Sequence, residues 1–404
     1  MPILTCPNEV LVLIACELSS RGLFALRLTS RFMNRVTLPL FTKRYFEKRC
    51  VMLRQDSLES LLDISKHPTF GPALRTLTVS IYHLKDVPIE EHVLNRQAHD
   101  FLLEDQQAMM ESGLNITYLS QSLAALVKLE AIVLDNELQP WGAMAQERQT
   151  GLPPIDSIEE DYKSVELSVD FVQNAIRCIL LAITAHRSTL RKLSIPVGWQ
   201  DGATISPDML VFPRPCSRYL QSHPTSLTSL DLRIHTKNRL GPNDSWITDL
   251  YGFIALFPQL QEFGLVIDLR DSDRQHFPQM AQSLRLPHLR ALKIGGIDCT
   301  EDELAAFLLG HREKLKEVRF WAVDIIAGGG SWPSLFRTMR SRLSLQFLKM
   351  NRCMSADETV YHDSDDGDEA GYLEKFEIHG RPEEWTALIN GLMIEKWDGL
   401  HEYI

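Results

Sequence analysis

Apolar residues at the first, fourth and sixth positions of a short run recur along most of this 404-residue chain. The runs are Leu74/Leu77/Val79, Leu129/Ile132/Leu134, Leu190/Leu193/Ile195, Leu227/Leu230/Leu232, Leu260/Phe263/Leu265, Leu289/Leu292/Ile294, Leu315/Val318/Phe320, Leu345/Leu348/Met350 and Leu373/Phe376/Ile378. From Leu227 onward they start 26 to 33 residues apart. Positions four and six turn to the same face of a strand, so each run predicts a strand with one buried side. The segments between carry helical spacing instead: Trp246, Leu250, Phe253, Ile254 and Phe257; Leu304, Phe307 and Leu308 behind a Thr300-x-x-Glu303 capping box; Leu335, Met339 and Leu343; Trp385, Leu388, Ile389 and Leu392. Strand alternating with helix predicts an α/β fold, with the strands parallel in one curved sheet and the helices outside.

Ahead of the runs the pattern is purely helical. Pro7 suits a first helical position, and Glu9 favours the positive end of the helix dipole. Val10, Leu11, Ile14 and Leu18 then fall on one stripe. Ser19, Ser20 and Gly22 interrupt it, Leu23, Leu26 and Leu28 lie on a second helix, and Thr29 or Ser30 caps a third carrying Phe32, Met33 and Val36. Three helices this short bury their own apolar faces poorly. The expected organisation is a helical domain over residues 1–45, a linker over 46–72 and a repeat domain over 73–404. Between the helical domain and the repeats, 42–53 alternates as a weak strand, and Leu58, Leu61, Leu62 and Ile64 predict a short helix. Loops are expected near 139–163, rich in proline and acidic residues, and near 355–371, where Asp363, Asp365, Asp366, Asp368 and Glu369 crowd together.

The period and the Leu-x-x-Leu-x-Leu strings resemble leucine-rich repeats, whose unit is about 20–29 residues. The family's ninth-position Asn or Cys is met only by Cys353, so the array reads as an irregular, degenerate solenoid. An ordinary α/β domain with buried strands is the competing reading of the same strings.

The N-terminal residues carry a second resemblance. Pro7-Asn8-Glu9-Val10-Leu11, Ile14, Leu18, Ser20-Arg21, Leu23 and the string Leu26-Arg27-Leu28-Thr29-Ser30-Arg31 look like the F-box, especially as it occurs in fungal proteins. The match covers residues 4 to about 45 and departs from the family at Cys6, Gly22 and Met33. F-box proteins are the substrate receptors of SCF-type cullin-RING ubiquitin ligases and dock on a Skp-type adaptor, which connects them to a cullin. The resemblance therefore implies a non-enzymatic receptor. Pro7, Val10, Leu11, Ile14, Leu18, Leu26 and Leu28 would supply the helical core and the adaptor-binding surface, and the repeats would bind a protein substrate. The alternative is a leucine-rich-repeat scaffold outside any ubiquitin ligase, its N-terminal helices acting only as a cap.

Composition narrows the partners. A hydrophobic content of 44% and a charged content of 24% are those of a globular domain. A net charge of −11 argues against general nucleic-acid or anionic-membrane binding. The seven cysteines, Cys6, Cys16, Cys50, Cys178, Cys216, Cys299 and Cys353, are scattered and form no CxxC pair, as expected of reduced thiols in the cytoplasm or nucleus. No secretory signal is evident, and the apolar run Cys178 to Ala185 is too short to cross a bilayer.

Catalytic and metal motifs fail on inspection. With Gly367 as the glycine of a calcium loop, His362 and Ser364 fall on the first ligand positions and Leu373 on the closing Glu, so the acidic run reads as solvated. Ser364, followed by two aspartates, has the context of an acidic-directed phosphorylation site. Gly328-Gly329-Gly330-Ser331 leads to Trp332 and Pro333 rather than a phosphate-binding Lys, and reads as a turn before a helix. Thirteen histidines include no HExxH, and no Gly-x-Ser-x-Gly elbow occurs. No cofactor and no metal is expected.

Overall fold

The apolar residues of eight runs, from Leu74 to Met350, are buried at all three positions, and each run enters a strand. The computed structural model describes residues 6–84, 96–135, 140, 142–143, 148–149, 169–185, 190–196, 205–223, 225–235, 246–267, 277–355 and 373–389. They fall into two units, one comprising residues 1–163 and 174–190 and the other 164–173 and 191–404.

The first unit contains α1 (Asn8–Cys16), α2 (Ser20–Thr29), α3 (Arg31–Phe46), β1 (Lys48–Val51), α4 (Gln55–Lys66), β2 (Thr76–Ser80), α5 (Arg96–Ser112), α6 (Leu114–Ala125), β3 (Ala131–Asp135) and most of α7 (Val169–Ala185). Strands β1, β2 and β3 pair in parallel. The expected linker is thus a repeat in its own right. In register, Arg49 stands beside Leu77, so β1 has an arginine at the fourth position, where the apolar pattern has leucine. Burial lowers the pKa of Arg49, whose Nη1 donates to the Tyr45 carbonyl at 3.2 Å while the guanidinium sits 5.4 Å from the centre of the Phe46 ring.

The second unit alternates β4 (Lys192–Ile195), α8 (Arg214–Ser222), β5 (Ser229–Ile234), α9 (Trp246–Ile254), β6 (Glu262–Ile267), α10 (Phe277–Ser283), β7 (Ala291–Cys299), α11 (Glu301–Gly310), β8 (Glu317–Ile325), α12 (Trp332–Arg342) and β9 (Phe347–Ser355), followed by β10 (Leu373–Ile378) and α13 (Pro382–Ile389). Strands β4 to β9 are parallel in chain order. The ninth run departs from expectation, because β10 pairs with β9 antiparallel. The connection between these two strands, 356–372, lies outside the described residues.

Backbone hydrogen bonds hold the repeats in step. The N–H groups of Thr228 and Ser229 both donate to the Arg191 carbonyl, at 2.9 Å each. Gln261 and Glu262 do the same to Thr228, Arg290 and Ala291 to Gln261, Lys316 and Glu317 to Arg290, and Gln346 and Phe347 to Lys316. In the first unit Glu47 receives Arg75 and Thr76, and Arg75 receives Glu130 and Ala131.

Strands β7, β8 and β9 are nine residues long, and each contains one residue with positive φ: Gly296 (67°), Ala322 (50°) and Arg352 (53°). The three follow registered neighbours Gly295, Trp321 and Asn351. In β8 the buried face changes from Val318 and Phe320 to Val323 and Ile325, because the left-handed Ala322 shifts the alternation by one residue, in step with its neighbours in β7 and β9. Cys353 lies beside this row, its buried thiol interacting with the backbone of Ala322 and Val323 and its pKa pushed up to about 12 by burial. Helix starts are capped as expected at Thr300, whose N–H donates to Glu303 Oε2 at 2.9 Å while its Oγ1 accepts from the Glu303 N–H at 3.2 Å. The glycine turn before α12 is closed by Glu301, whose Oε2 accepts from the Ser331 N–H at 3.0 Å. The two expected loops, near 139–163 and 355–371, lie largely outside the described residues.

The backbone makes one pair of substitutions diagnostic. A Cβ on Gly296 would lie 1.8 Å from the Ile267 carbonyl oxygen, whereas one on Gly252, exposed in α9, meets nothing within 4 Å. Gly252→Ala should raise stability by about 0.5–1 kcal/mol, and Gly296→Ala should lower it by about 2 kcal/mol or more, read from urea midpoints. A second prediction concerns acid. His311 is buried, its Nδ1–H donating to the Phe307 carbonyl at 2.9 Å and its Nε2 accepting from the Leu286 N–H at 3.3 Å, which requires a neutral ring. Burial holds its pKa below the ordinary 6.5, so the unfolded chain takes up a proton first. That contribution to stability is complete above about pH 6.5 and is lost as the pH falls toward the folded-state value. The urea midpoint should fall on acidification from pH 7 to 5, and fall less in His311→Gln.

Candidate partner-binding surfaces

The N-terminal stripe is divided along its length. At about 100° per residue, Leu11 and Ala15 occupy one edge of the apolar sector of α1, and Val10, Leu13 and Ile14 the other. Leu11 is 2% exposed, together with buried Ala15, Leu23 and Met33, and these side chains form the core of the helices. Val10 (41%), Leu13 (67%) and Ile14 (42%) on α1, with Phe24 (46%) and Leu28 (88%) on α2, remain open to solvent. Pro7 is exposed, and Leu18 and Leu26 are half-buried. The expected site set therefore contains one core residue, Leu11, two boundary residues, and four exposed ones. Leu13 and Phe24 were not anticipated: Leu13 is off the narrow stripe, and Phe24 follows the core leucine at 23. The signal for both is an apolar sector too wide for one contact.

Local chemistry places these helices. Pro7 stands at the N-cap of α1, one position earlier than expected, with its carbonyl accepting from the Leu11 N–H at 3.1 Å. Gly22 does not interrupt a helix. It lies in the first turn of α2, where its N–H donates to the capping Ser19 Oγ at 3.3 Å. Ser30 caps α3, accepting from the Met33 N–H at 3.1 Å. The Arg44 guanidinium donates to the Leu18 carbonyl at 2.8 Å, tying α3 to the end of α1.

A run of rings carries α3 onto the first repeat. Phe24, Phe41 and Tyr45 pack with centroids 5.0 to 5.6 Å apart, Arg27 lies 3.7 Å over Phe41, and burial lowers the Arg27 pKa. Phe41 leads to Phe46 at 5.8 Å, and Phe46 stacks face to face on Phe70 at 4.0 Å with an interplanar angle of 6°. Phe70 is followed by the 3-10 turn Gly71–Ala73, which feeds β2. Capping of the first repeat is thus performed by α3, and the open faces of α1 and α2 are left out of it.

The second unit offers a different surface. Leu230, Leu232, Val318, Phe320, Leu348 and Met350 point into the core, and the alternate residues of the same strands stand on the opposite face of the sheet. Its central row runs Asp231, Gly264, Lys293, Arg319, Lys349, and the next runs Arg233, Val266, Gly295, Trp321, Asn351. All seven cysteines are free thiols, with Cys50, Cys178, Cys299 and Cys353 buried. Among the described residues no helix is long and apolar enough to cross a membrane.

No family model matches the chain, and no curated protein matches it significantly. Among solved structures it is similar to the leucine-rich repeat-containing protein LegL7 from Legionella pneumophila, at 12% identity over 87% of this chain and 99% of that one, with a TM-score of 0.33. SrfJ from Salmonella typhimurium aligns at 12% identity over 75% and 69% of the two chains, with a TM-score of 0.22. An endo-β-1,6-glucanase aligns at 11% over 70% and 68%, with a TM-score of 0.21. At these scores the α/β description rests on the strands and helices themselves.

The division of the stripe predicts two different phenotypes. Leu11→Ala empties a core site and should cost about 2–5 kcal/mol, whereas Ile14→Ala should change stability by less than about 0.5 kcal/mol. Thermal or urea unfolding of the two variants measures both.

Proposed function

We propose that the chain is a non-catalytic substrate receptor of an SCF-type ubiquitin ligase. Its N-terminal helices act as an F-box for a Skp-type adaptor and, through it, a cullin, and its repeats hold a protein substrate. The observation that carries this reading is the exposure of Val10, Leu13, Ile14, Phe24 and Leu28 on helices whose own core is already filled. Large apolar side chains grouped on two short helices favour a protein partner. The receptor contributes proximity, turning a bimolecular encounter between substrate and ubiquitin carrier into a local one, while the chemistry belongs to other subunits. The irregular leucine-rich-repeat character of the substrate domain belongs to the same proposal and is supported by the 1-4-6 burial pattern and the parallel strands.

The second reading is a repeat scaffold whose N-terminal helices serve only as a cap. The seating of Phe46 on Phe70 favours a capping role for α3. It leaves the apolar faces of α1 and α2 without a purpose.

Full burial of one such side chain in an interface contributes about 1.5–3 kcal/mol, roughly ten- to a hundredfold in affinity. Leu13→Asp with Ile14→Asp should abolish co-purification of a Skp-type adaptor while leaving the unfolding midpoint near wild type. Wild-type protein that fails to capture the adaptor would leave the scaffold reading in its place.

A further inference from the structure

The open face of the second unit carries an arrangement that costs stability. Lys293, Arg319 and Lys349 are direct register neighbours on β7, β8 and β9. With strands about 4.8 Å apart, the three cations form one row roughly 10 Å long. Like charges directly opposite one another are destabilising, and nothing in the strand pairing requires them. For two of the three the carboxylate neighbours are weak compensation: Asp231 Oδ1 lies 3.7 Å from Lys293 Nζ, and Glu317 Oε2 lies 3.5 Å from Arg319 Nη2, both pairs partly or largely exposed.

Glycines shape the floor beside this row. A Cβ on Gly264 would fall 2.1 Å from the Asp231 carboxylate, and one on Gly295 would fall 3.0 Å from Trp321 Cε3. The Trp321 ring therefore lies across Gly295, and the Arg233 guanidinium reaches to 5.5 Å from its centre, although β6 and β7 separate their strands. Over these two rows, β5 to β9 present Arg233, Lys293, Arg319 and Lys349 against the single carboxylate of Asp231. In backbone register, Lys375 of β10 stands opposite Asn351 and Glu377 opposite Lys349. A positive strip on a chain of net charge −11 is a local departure from the whole. It is also bounded: Glu262 and Glu317 stand in the row toward the strand starts, and Asp298 and Asp324 in the row beyond Trp321.

We propose that this strip binds an extended acidic segment of a partner protein. The segment runs across the strands, with carboxylates on Lys293, Arg319 and Lys349 and an apolar side chain against Trp321. The acidic margins exclude a chain laid along the strands. Together with the net charge they also disfavour nucleic acid, whose phosphates extend far beyond three cations. The proposal deepens the substrate-receptor reading, on which it depends only for calling the bound partner a substrate.

The test uses the full chain and fluorescein-labelled dodecaglutamate, followed by anisotropy at low ionic strength. Wild type should bind saturably. The triple variant Lys293→Glu, Arg319→Glu, Lys349→Glu should weaken binding by about tenfold or more, and Trp321→Ala should weaken binding of the same peptide carrying one central leucine more than of dodecaglutamate itself. The control triple Arg35→Glu, Arg218→Glu, Arg337→Glu changes net charge equally at exposed positions away from the strip and should alter affinity by less than about threefold. If the first triple loses its circular dichroism, the Gln triple at the same positions, which relieves the repulsion, must show the loss. No saturable binding, equal effects of the two charge reversals, or tighter binding of a labelled oligothymidylate of matched charge overturns the proposal. Because the adaptor is absent from the assay, its failure leaves adaptor capture untouched, and loss of adaptor capture leaves this result standing.

Discussion

The carbonyl oxygen of the residue before each of seven strands, β1, β2 and β4 to β8, accepts two consecutive N–H groups from the next strand's start, and the register of these parallel strands depends on that fork. A carbonyl has two lone pairs, so the arrangement satisfies both donors without a side chain. Glu47, Arg75, Arg191, Thr228, Gln261, Arg290 and Lys316 all serve, and their chemistry has nothing in common. The fork and the buried apolar residue one position before it fix where these strands begin. The first, fourth and sixth side chains then reach the core together. The opposite face acquires its rows by the same act, since a one-residue slip in β7 or β8 would send Lys293 or Arg319 into the core.

This explains which parts of the fold were legible. Burial of Leu260, Phe263 and Leu265, or of Leu289, Leu292 and Ile294, is a demand on residue type, and it shows as spacing. The fork demands only backbone and leaves no trace. β1 was legible only as a weak strand of the linker and not as a member of the array, because Arg49 occupies the fourth position, held by the Tyr45 carbonyl and the Phe46 ring in place of leucine contacts. The direction of β10 was misjudged because its apolar run looks the same in either direction, and only the connection decides. The left-handed row was not legible: Gly296 tolerates a positive φ, but Ala322 and Arg352 adopt it only in step with their neighbours in the stack.

At the N-terminus the sequence showed an apolar stripe but not its division. Val10, Leu11 and Ile14 are equivalent as letters, and only the approach of α3 makes Leu11 core and leaves the other two outside. The strip on the second unit was invisible for another reason. Lys293, Arg319 and Lys349 are about 26 to 30 residues apart, and only the fork brings them side by side. The same holds for Arg233 and Trp321, which meet only because Gly295 has no side chain between them.

Exposed apolar helices are normally unstable, since their faces could be buried by rotation or by collapse onto the nearest core. α1 and α2 are denied that route. Arg44 ties the end of α1 to α3, Phe24 packs against Phe41 and Tyr45, and Phe46 is clamped flat on Phe70. Rotating α1 to hide Ile14 would expose Leu11 and Ala15, which gains nothing. The aromatic run therefore does more than cap the first repeat: it holds the apolar surface in a fixed arrangement, which on the proposed adaptor-binding role would leave less ordering entropy to be lost. A surface that served only as a cap would have no need of that rigidity, because burial itself would supply it.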